Sequence, residues 1–438
     1  MRPLQSVILV SAVVSTLLVG MPGSQAAPED KPKFVGSLSV GDSIFWNGPI
    51  VEDAGLDHPQ YPVNVAEWYL RFAAGNVECD EICWRYEIEV AERADVLRLG
   101  LSSPIEKDMY DSFYFYIYDP RGEYWGYADG WVSQEAFIRH PEVGTWTVEV
   151  VPYSATNSTF RMRAKLENNK VAAQNAPRKL LAPNLRISPP THFGFNTPPH
   201  WIAPWDDSYP YPSCTPDEVA DDQSVSCMRL TVGIENVGLG PLELMYSSIV
   251  DQGATMYQRL NYSDGSDRMR EAGTYEYHET HGHYHFAGFA KLDLFRVEDP
   301  DAGKLEYVEK GYKLGFCLGD TVIAEWDKFS QAPIYSARSD CDAPQQAWMG
   351  LSTGWTDLYG WFQAGNYVRW PGEDGYYVVR AMADALETLV ETNEKDNYGY
   401  AFVKVEGNEV TVIERGRGTD PWDPNKVVIR DWWEKRLN

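Results

Sequence analysis

Asp111-Ser112-Phe113-Tyr114-Phe115-Tyr116-Ile117-Tyr118-Asp119-Pro120-Arg121-Gly122 carries the clearest fold signal in the chain. Phe113, Phe115 and Ile117 recur every second residue, which is the spacing of a strand with one buried face. Asp119 to Gly122 then supplies a turn signal. The same alternation extends to both sides: Tyr86, Ile88 and Val90 against Glu87 and Glu89, then Leu97, Leu99 and Leu101. Trp146, Val148 and Val150 continue it, followed by Phe160, Met162 and Leu166. About eight such strands between residues 35 and 168, with no helical stretch, predict an antiparallel β-sandwich or jelly roll. No cluster of histidines or paired carboxylates lies in this region to suggest chemistry of its own.

The remaining organisation follows from composition. Arg2 and the apolar run Val7 to Gly20, with Ser24 and Ala26 at the small-residue positions beyond it, predict a cleaved signal peptide over residues 1–26. The run is short of the roughly 20 apolar residues that cross a bilayer, so no membrane anchor is expected after cleavage, and the protein is expected to be secreted. Residues 35–168 form the accessory sandwich, 169–183 read as a linker, 184–413 as a second domain and 414–438 as a tail packing through its aromatics. Pro189-Pro190 through Tyr209-Pro210-Tyr211-Pro212 lacks periodicity and reads as irregular surface structure. Strand alternation resumes at Leu230, Val232 and Ile234 and recurs at Leu292/Leu294, Tyr377/Val379 and Val403/Val405. The second domain is therefore also mostly β, loop-rich, with a β-sandwich core, and the fold class is all-β.

The chain has 438 residues and a formal charge of −26, which argues against nucleic acid, because phosphate binding depends on basic side chains. The excess of acid is densest over residues 184–413 and favours cationic partners. Six cysteines in an exported chain read as disulfides, and the local pairings are Cys79/Cys83, Cys214/Cys227 and Cys317/Cys341. Asn157-Ser158-Thr159 and Asn261-Tyr262-Ser263 are glycosylation sequons.

Chemistry shows in the histidines. Four of the eight fall in Tyr277-His278-Glu279-Thr280-His281-Gly282-His283-Tyr284-His285-Phe286. In a strand His281, His283 and His285 share one face, but the outer two Cα atoms would be about 13 Å apart. Imidazoles bind first-row metals at about 2 Å, so three ligands converge only if the backbone curls, and Gly282 permits a bend. Ligands of this kind suit copper, zinc, iron or nickel. The competing reading is a row of exposed histidines or a pH-sensitive patch.

The block from His281 to His285, then Leu292-Asp293-Leu294, Gly311-Tyr312-Lys313-Leu314-Gly315-Phe316-Cys317-Leu318-Gly319-Asp320-Thr321 and Gly354-Trp355-Thr356-Asp357-Leu358-Tyr359-Gly360, resembles the catalytic domain of the lysyl oxidase family. Glu391-Thr392-Asn393-Glu394-Lys395-Asp396-Asn397 is similar to the acidic segment before that family's last strands. The resemblance covers about residues 184–413, while the first region looks like the accessory sandwiches of secreted bacterial enzymes, which implies a binding or spacer module without catalysis. The likeness to the lysyl oxidase family implies that His281, His283 and His285 hold copper, that Lys313 and Tyr359 are cross-linked into lysine tyrosylquinone, and that Asp357 is the base. His278 matches a family histidine outside the ligand trio, and Cys317 is expected to serve structure. Tyr277 and Thr280 stand where animal members have Trp and Cys, so one family disulfide is absent.

The implied activity is oxidation of primary amines, chiefly lysine side chains of peptides or proteins, by dioxygen to aldehyde, ammonia and hydrogen peroxide. Such chemistry needs an electrophilic carbonyl that no standard side chain supplies, hence a self-derived cofactor. Two alternatives use the same histidines. One is a zinc- or iron-dependent hydrolase or oxygenase; the other is a secreted copper-binding or adhesion protein without catalysis.

Overall fold

The computed structural model describes residues 32–55, 83–104, 112–128, 133–168, 177–195, 214, 226–246, 253–278, 283–311, 317–328, 335, 348–361, 363 and 365–430. Among them no helix occurs, and the fold is all-β. No helix of the described residues is long and apolar enough to cross a membrane.

The described residues between 33 and 167 supply eight strands: β1 (Lys33–Leu38), β2 (Ser43–Gly55), β3 (Trp84–Val90), β4 (Val96–Ser102), β5 (Ser112–Tyr118), β6 (Tyr124–Ala128), β7 (Ser133–Arg139) and β8 (Gly144–Glu167). β8 is the organising element. Its first part pairs with β3 and β5, and its second part pairs with β2 and β4. β1 and β6 extend the first group and β7 the second, so two layers are joined by one strand that passes between them. Asn157, in the expected sequon, adopts a left-handed φ of 47° in β8. The alternation read from sequence is the buried face: Tyr86, Ile88 and Val90 from one layer and Leu97, Leu99 and Leu101 from the other meet in one core with Trp146 and Phe160.

The following strands are β9 (Leu180–Leu181), β10 (Leu185–Gly194), β11 (Ser226–Asn236), β12 (Leu242–Tyr246), β13 (Gly253–Tyr262), β14 (Asp267–His278), β15 (His283–Phe286), β16 (Ala290–Asp299) and β17 (Lys304–Lys310). After them come β18 (Val322–Ile323), β19 (Trp348–Leu351), β20 (Trp355–Tyr359), β21 (Tyr367–Trp370), β22 (Gly375–Ala383), β23 (Tyr398–Glu406), β24 (Glu409–Arg417) and β25 (Val427–Val428). They form three sheets: β10-β11-β20-β18 with β21 on β11, β15-β14-β13-β12-β19 with β9 on β13, and β17-β16-β22-β23-β24-β25. All three contribute to a second core that includes Ile234, Leu244, Leu294, Tyr359 and Val403.

Three segments differ from their sequence reading. Pro189 and Pro190 lie inside β10, not in irregular structure; the register with β11 shifts between Ser188 and Thr191, where missing N–H donors cost no ladder bonds. Leu180 and Leu181, at the end of the expected linker, pair with Tyr262 and Asn261. The expected tail begins inside β24, and its Trp422 packs edge-on against Phe402 and donates its indole N–H to the Pro300 carbonyl at 3.0 Å.

Cys214 and Cys227 form a disulfide with Cα atoms 5.2 Å apart, as expected. Cys83 and Cys317 are disulfide-bonded too. The pairings Cys79/Cys83 and Cys317/Cys341 each include a cysteine outside the described residues.

Candidate functional site

β20 carries the two residues that the motif singles out. Asp357 and Tyr359 are two apart in a strand and so point to the same side, with Trp355. β11 fixes their height, pairing Ile234 with Asp357 and Val232 with Tyr359. Both side chains are buried, Asp357 at 2% exposure and Tyr359 at 7%, and Tyr359 belongs to the second core. A carboxylate placed beside Trp355 and Ile234 is costly unless polar partners or a task retain it there.

The Tyr359 hydroxyl donates to the Cys317 carbonyl at 2.8 Å and also lies against the Asp357 carboxylate. One phenolic proton cannot serve both acceptors at once. Burial first, and then the adjacent Asp357 charge, push the phenol well above its ordinary range. The ring is therefore held as neutral phenol, and a cation brought beside it would act against both causes. Thr321 braces the same strand: its hydroxyl donates to the Thr356 carbonyl at 2.7 Å and accepts from the Leu358 N–H at 2.8 Å, on either side of Asp357.

The histidine run lies on another sheet. β14 pairs with β15, setting Tyr275 opposite Phe286, Tyr277 opposite Tyr284, Glu276 opposite His285 and His278 opposite His283. One face is aromatic, with Tyr275 and Tyr284 stacked at 4.9 Å and Tyr277 set edge-on to Tyr284. By alternation the backbone positions of His283 and His285 share the opposite face with Glu276. His285 is buried at 4% exposure although Glu276 across from it is exposed. His281 and Lys313 lie outside the described residues. Gly311, two residues before Lys313, is placed by its N–H donating to the Leu292 carbonyl at 2.7 Å, and Cys317, four residues after it, by the Tyr359 hydroxyl. The structure thus brings Asp357, Tyr359 and Cys317 together, and sets His285 on a separate sheet.

A second cluster was not singled out as a site by sequence reasoning. Carboxylate oxygens of Asp384, Glu391 and Glu394 lie within 4.8 Å of one another. Asp384, at a left-handed φ of 44°, accepts from the Thr388 N–H at 3.1 Å and the Leu389 N–H at 3.0 Å. Glu391 accepts from the Leu185 N–H and, at 3.0 Å, from the Asn397 amide. Burial pushes Glu391 up to about 8 and raises Asp384 and Glu394 as well. An all-oxygen set of this kind can hold a hard cation such as calcium or magnesium, and it differs in donor type from an imidazole site for copper. The signal available in sequence was the acidic run from Glu391 to Asn397; Asp384 gave none.

No family model matches the chain, and no curated protein matches it. Among solved structures, the lipase BlEst2 of Bacillus licheniformis in its propeptide form is similar at 10% identity, over 55% of this chain, with a TM-score of 0.16. This chain spans 48% of that lipase chain, and a likeness at that score carries no argument about fold or function.

Proposed function

We propose that residues 184–413 are a copper- and quinone-dependent amine oxidase that acts on primary amines, chiefly lysine side chains of peptides or proteins. The observation that carries this reading is the buried pair on β20: a carboxylate and a neutral phenol side by side, with the phenol bonded to the backbone four residues after Lys313. A carboxylate is costly to bury beside a phenol in a core, and a chemical task accounts for keeping both there.

His281, His283 and His285 would hold the copper, and their imidazoles fit it by donor type. His285 is buried on β15. Bound copper, with dioxygen, would supply the oxidising power that turns the Tyr359 ring into a quinone cross-linked to Lys313, and that quinone would supply the electrophilic carbonyl. Within the chain, Thr321 and the β11 register hold Asp357 and Tyr359 at fixed positions. Asp357 is the base that takes a proton from the carbon bearing the substrate amine. The Cys317 carbonyl orients the Tyr359 hydroxyl before the cross-link forms. The net charge of −26 draws cationic amines toward the site.

The test is hydrogen peroxide release from a lysine-rich peptide by copper-loaded protein, with the apo and zinc-loaded forms beside it. Peroxide that depends on copper supports the reading. Metal-dependent hydrolysis without peroxide, or copper binding without turnover, replaces it with one of the two alternatives.

A further inference from the structure

The first sandwich and the second set of sheets meet through a built contact. On β8, β4 and β7, Arg163, Gly100 and Glu135 form one cross-strand rung. Gly100 has no side chain to block the rung, and a Cβ there would come within 3.0 Å of the Arg163 guanidinium. Arg163 therefore lies across β4 and reaches Glu135 at 3.1 Å, and Arg98 reaches the same carboxylate at 2.8 Å. Arg98, two residues along β4, also pairs with Glu167 at 3.5 Å, while the remaining N–H groups of the buried Arg163 need acceptors beyond Glu135.

Those acceptors come from the second unit. The Arg163 Nη1 donates to the Trp326 carbonyl at 2.9 Å and the Lys328 carbonyl at 2.8 Å. The Trp326 ring lies 4.9 Å from the Arg161 guanidinium and 4.8 Å from that of Arg163. Beside it the Ile323 N–H donates to the Ser133 hydroxyl at 2.7 Å. Arg163 ends with 0% exposure and Trp326 with 6%.

The receiving segment is the one that braces the candidate site. From Cys317, whose carbonyl takes the Tyr359 hydroxyl, it runs through Thr321 to β18, which pairs Val322 with Thr356 and Ile323 with Trp355, and on to the turn at residues 325–328. One end therefore touches Tyr359 and flanks Asp357, while the other is held by Arg163. We propose that the first sandwich is a clamp on this strap rather than a tethered spacer, and that Arg163 is a positioning residue that keeps β18 in register on β20. The clamp stands on geometry alone; only its consequence for turnover rests on the proposed function.

The experiment uses the full chain with Arg163→Met, Arg163→Lys and the milder Ser133→Ala, and Arg121→Met on the exposed Arg121–Asp119 pair as control. Hydrogen exchange is followed by mass spectrometry in peptides covering residues 317–328 and 355–359, with β22 and β23 as reference. Arg163→Met speeds exchange of the strap roughly ten- to hundredfold, leaves β22 and β23 protected, and slows the appearance of quinone absorbance at unchanged copper content. Arg163→Lys recovers part of the protection. Ser133→Ala, which removes only one acceptor, gives a smaller rise confined to β18 and decides the matter if Arg163→Met does not fold. Strap exchange that is unchanged, or that rises equally in every strand, overturns the clamp. Wild-type protein that forms no quinone refutes the proposed function, and the exchange result still stands for or against the clamp.

Discussion

Replacing Tyr359 by Phe removes one oxygen and keeps the ring that fills the second core. The structure gives that oxygen two local jobs: it donates to the Cys317 carbonyl at 2.8 Å and lies against Asp357. Loss of a buried hydrogen bond costs about 1 kcal/mol, and the relief of burying a hydroxyl beside a carboxylate offsets part of it. With roughly 2–4 °C per kcal/mol for a unit of this size, Tyr359→Phe should melt within about 4 °C of the parent. Copper content should be unchanged, because the expected ligands are histidines. Turnover should vanish, because phenylalanine carries no oxygen from which a quinone carbonyl could form by the proposed route. The assay is thermal unfolding, copper analysis and peroxide release on one preparation. Variant protein that is folded, copper-loaded and still active within severalfold of the parent would refute the assignment of Tyr359 and favour a hydrolase or oxygenase using the same histidines.

Three further outcomes follow from other residues. His285→Ala should lower bound copper per chain, read by elemental analysis after dialysis, while circular dichroism retains its β signature; full copper retention removes His285 from the ligand set. Glu391 is pushed by burial from 4.5 up to about 8, so folding holds a proton there that the unfolded chain releases. Its contribution is therefore complete below the unfolded value and is lost as pH rises toward 8, by up to about 4–5 kcal/mol. In a chelating buffer Tm should fall between pH 5.5 and 8.5, and Glu391→Gln should flatten that slope; an unchanged slope refutes the role of Glu391. Turnover of a lysine-rich peptide should drop as salt screens a chain of charge −26, and insensitivity to ionic strength would leave the acidity to solubility alone.

Much of the fold was legible because burial in a sheet repeats every two residues. Phe113, Phe115 and Ile117 alternate in the sequence and are all buried in the first core. Pro189 and Pro190 misled the reading, since proline normally argues against a strand; here the register shift of β10 absorbs them, and that shift depends on β11, far away in sequence. The histidine run stood out by its density, while Asp357 and Tyr359 were singled out by motif resemblance alone; the structure sets the latter two together on β20. The bracing of that pair was not legible. That the Thr321 hydroxyl would bridge Thr356 and Leu358, or that Arg163 would cross a glycine to hold the turn after β18, depends on cross-strand partners that no local pattern encodes. Asp384 escaped for the same reason, because it joins Glu391 and Glu394 through a turn with a left-handed φ.

A peptide map of copper-loaded protein exposed to dioxygen tests whether Tyr359 and Lys313 form the quinone cofactor. One cross-linked species containing both Lys313 and Tyr359 is expected, absent from protein kept free of copper and from Tyr359→Phe. Recovery of Lys313 and Tyr359 in separate, unmodified peptides from fully copper-loaded protein would contradict that assignment.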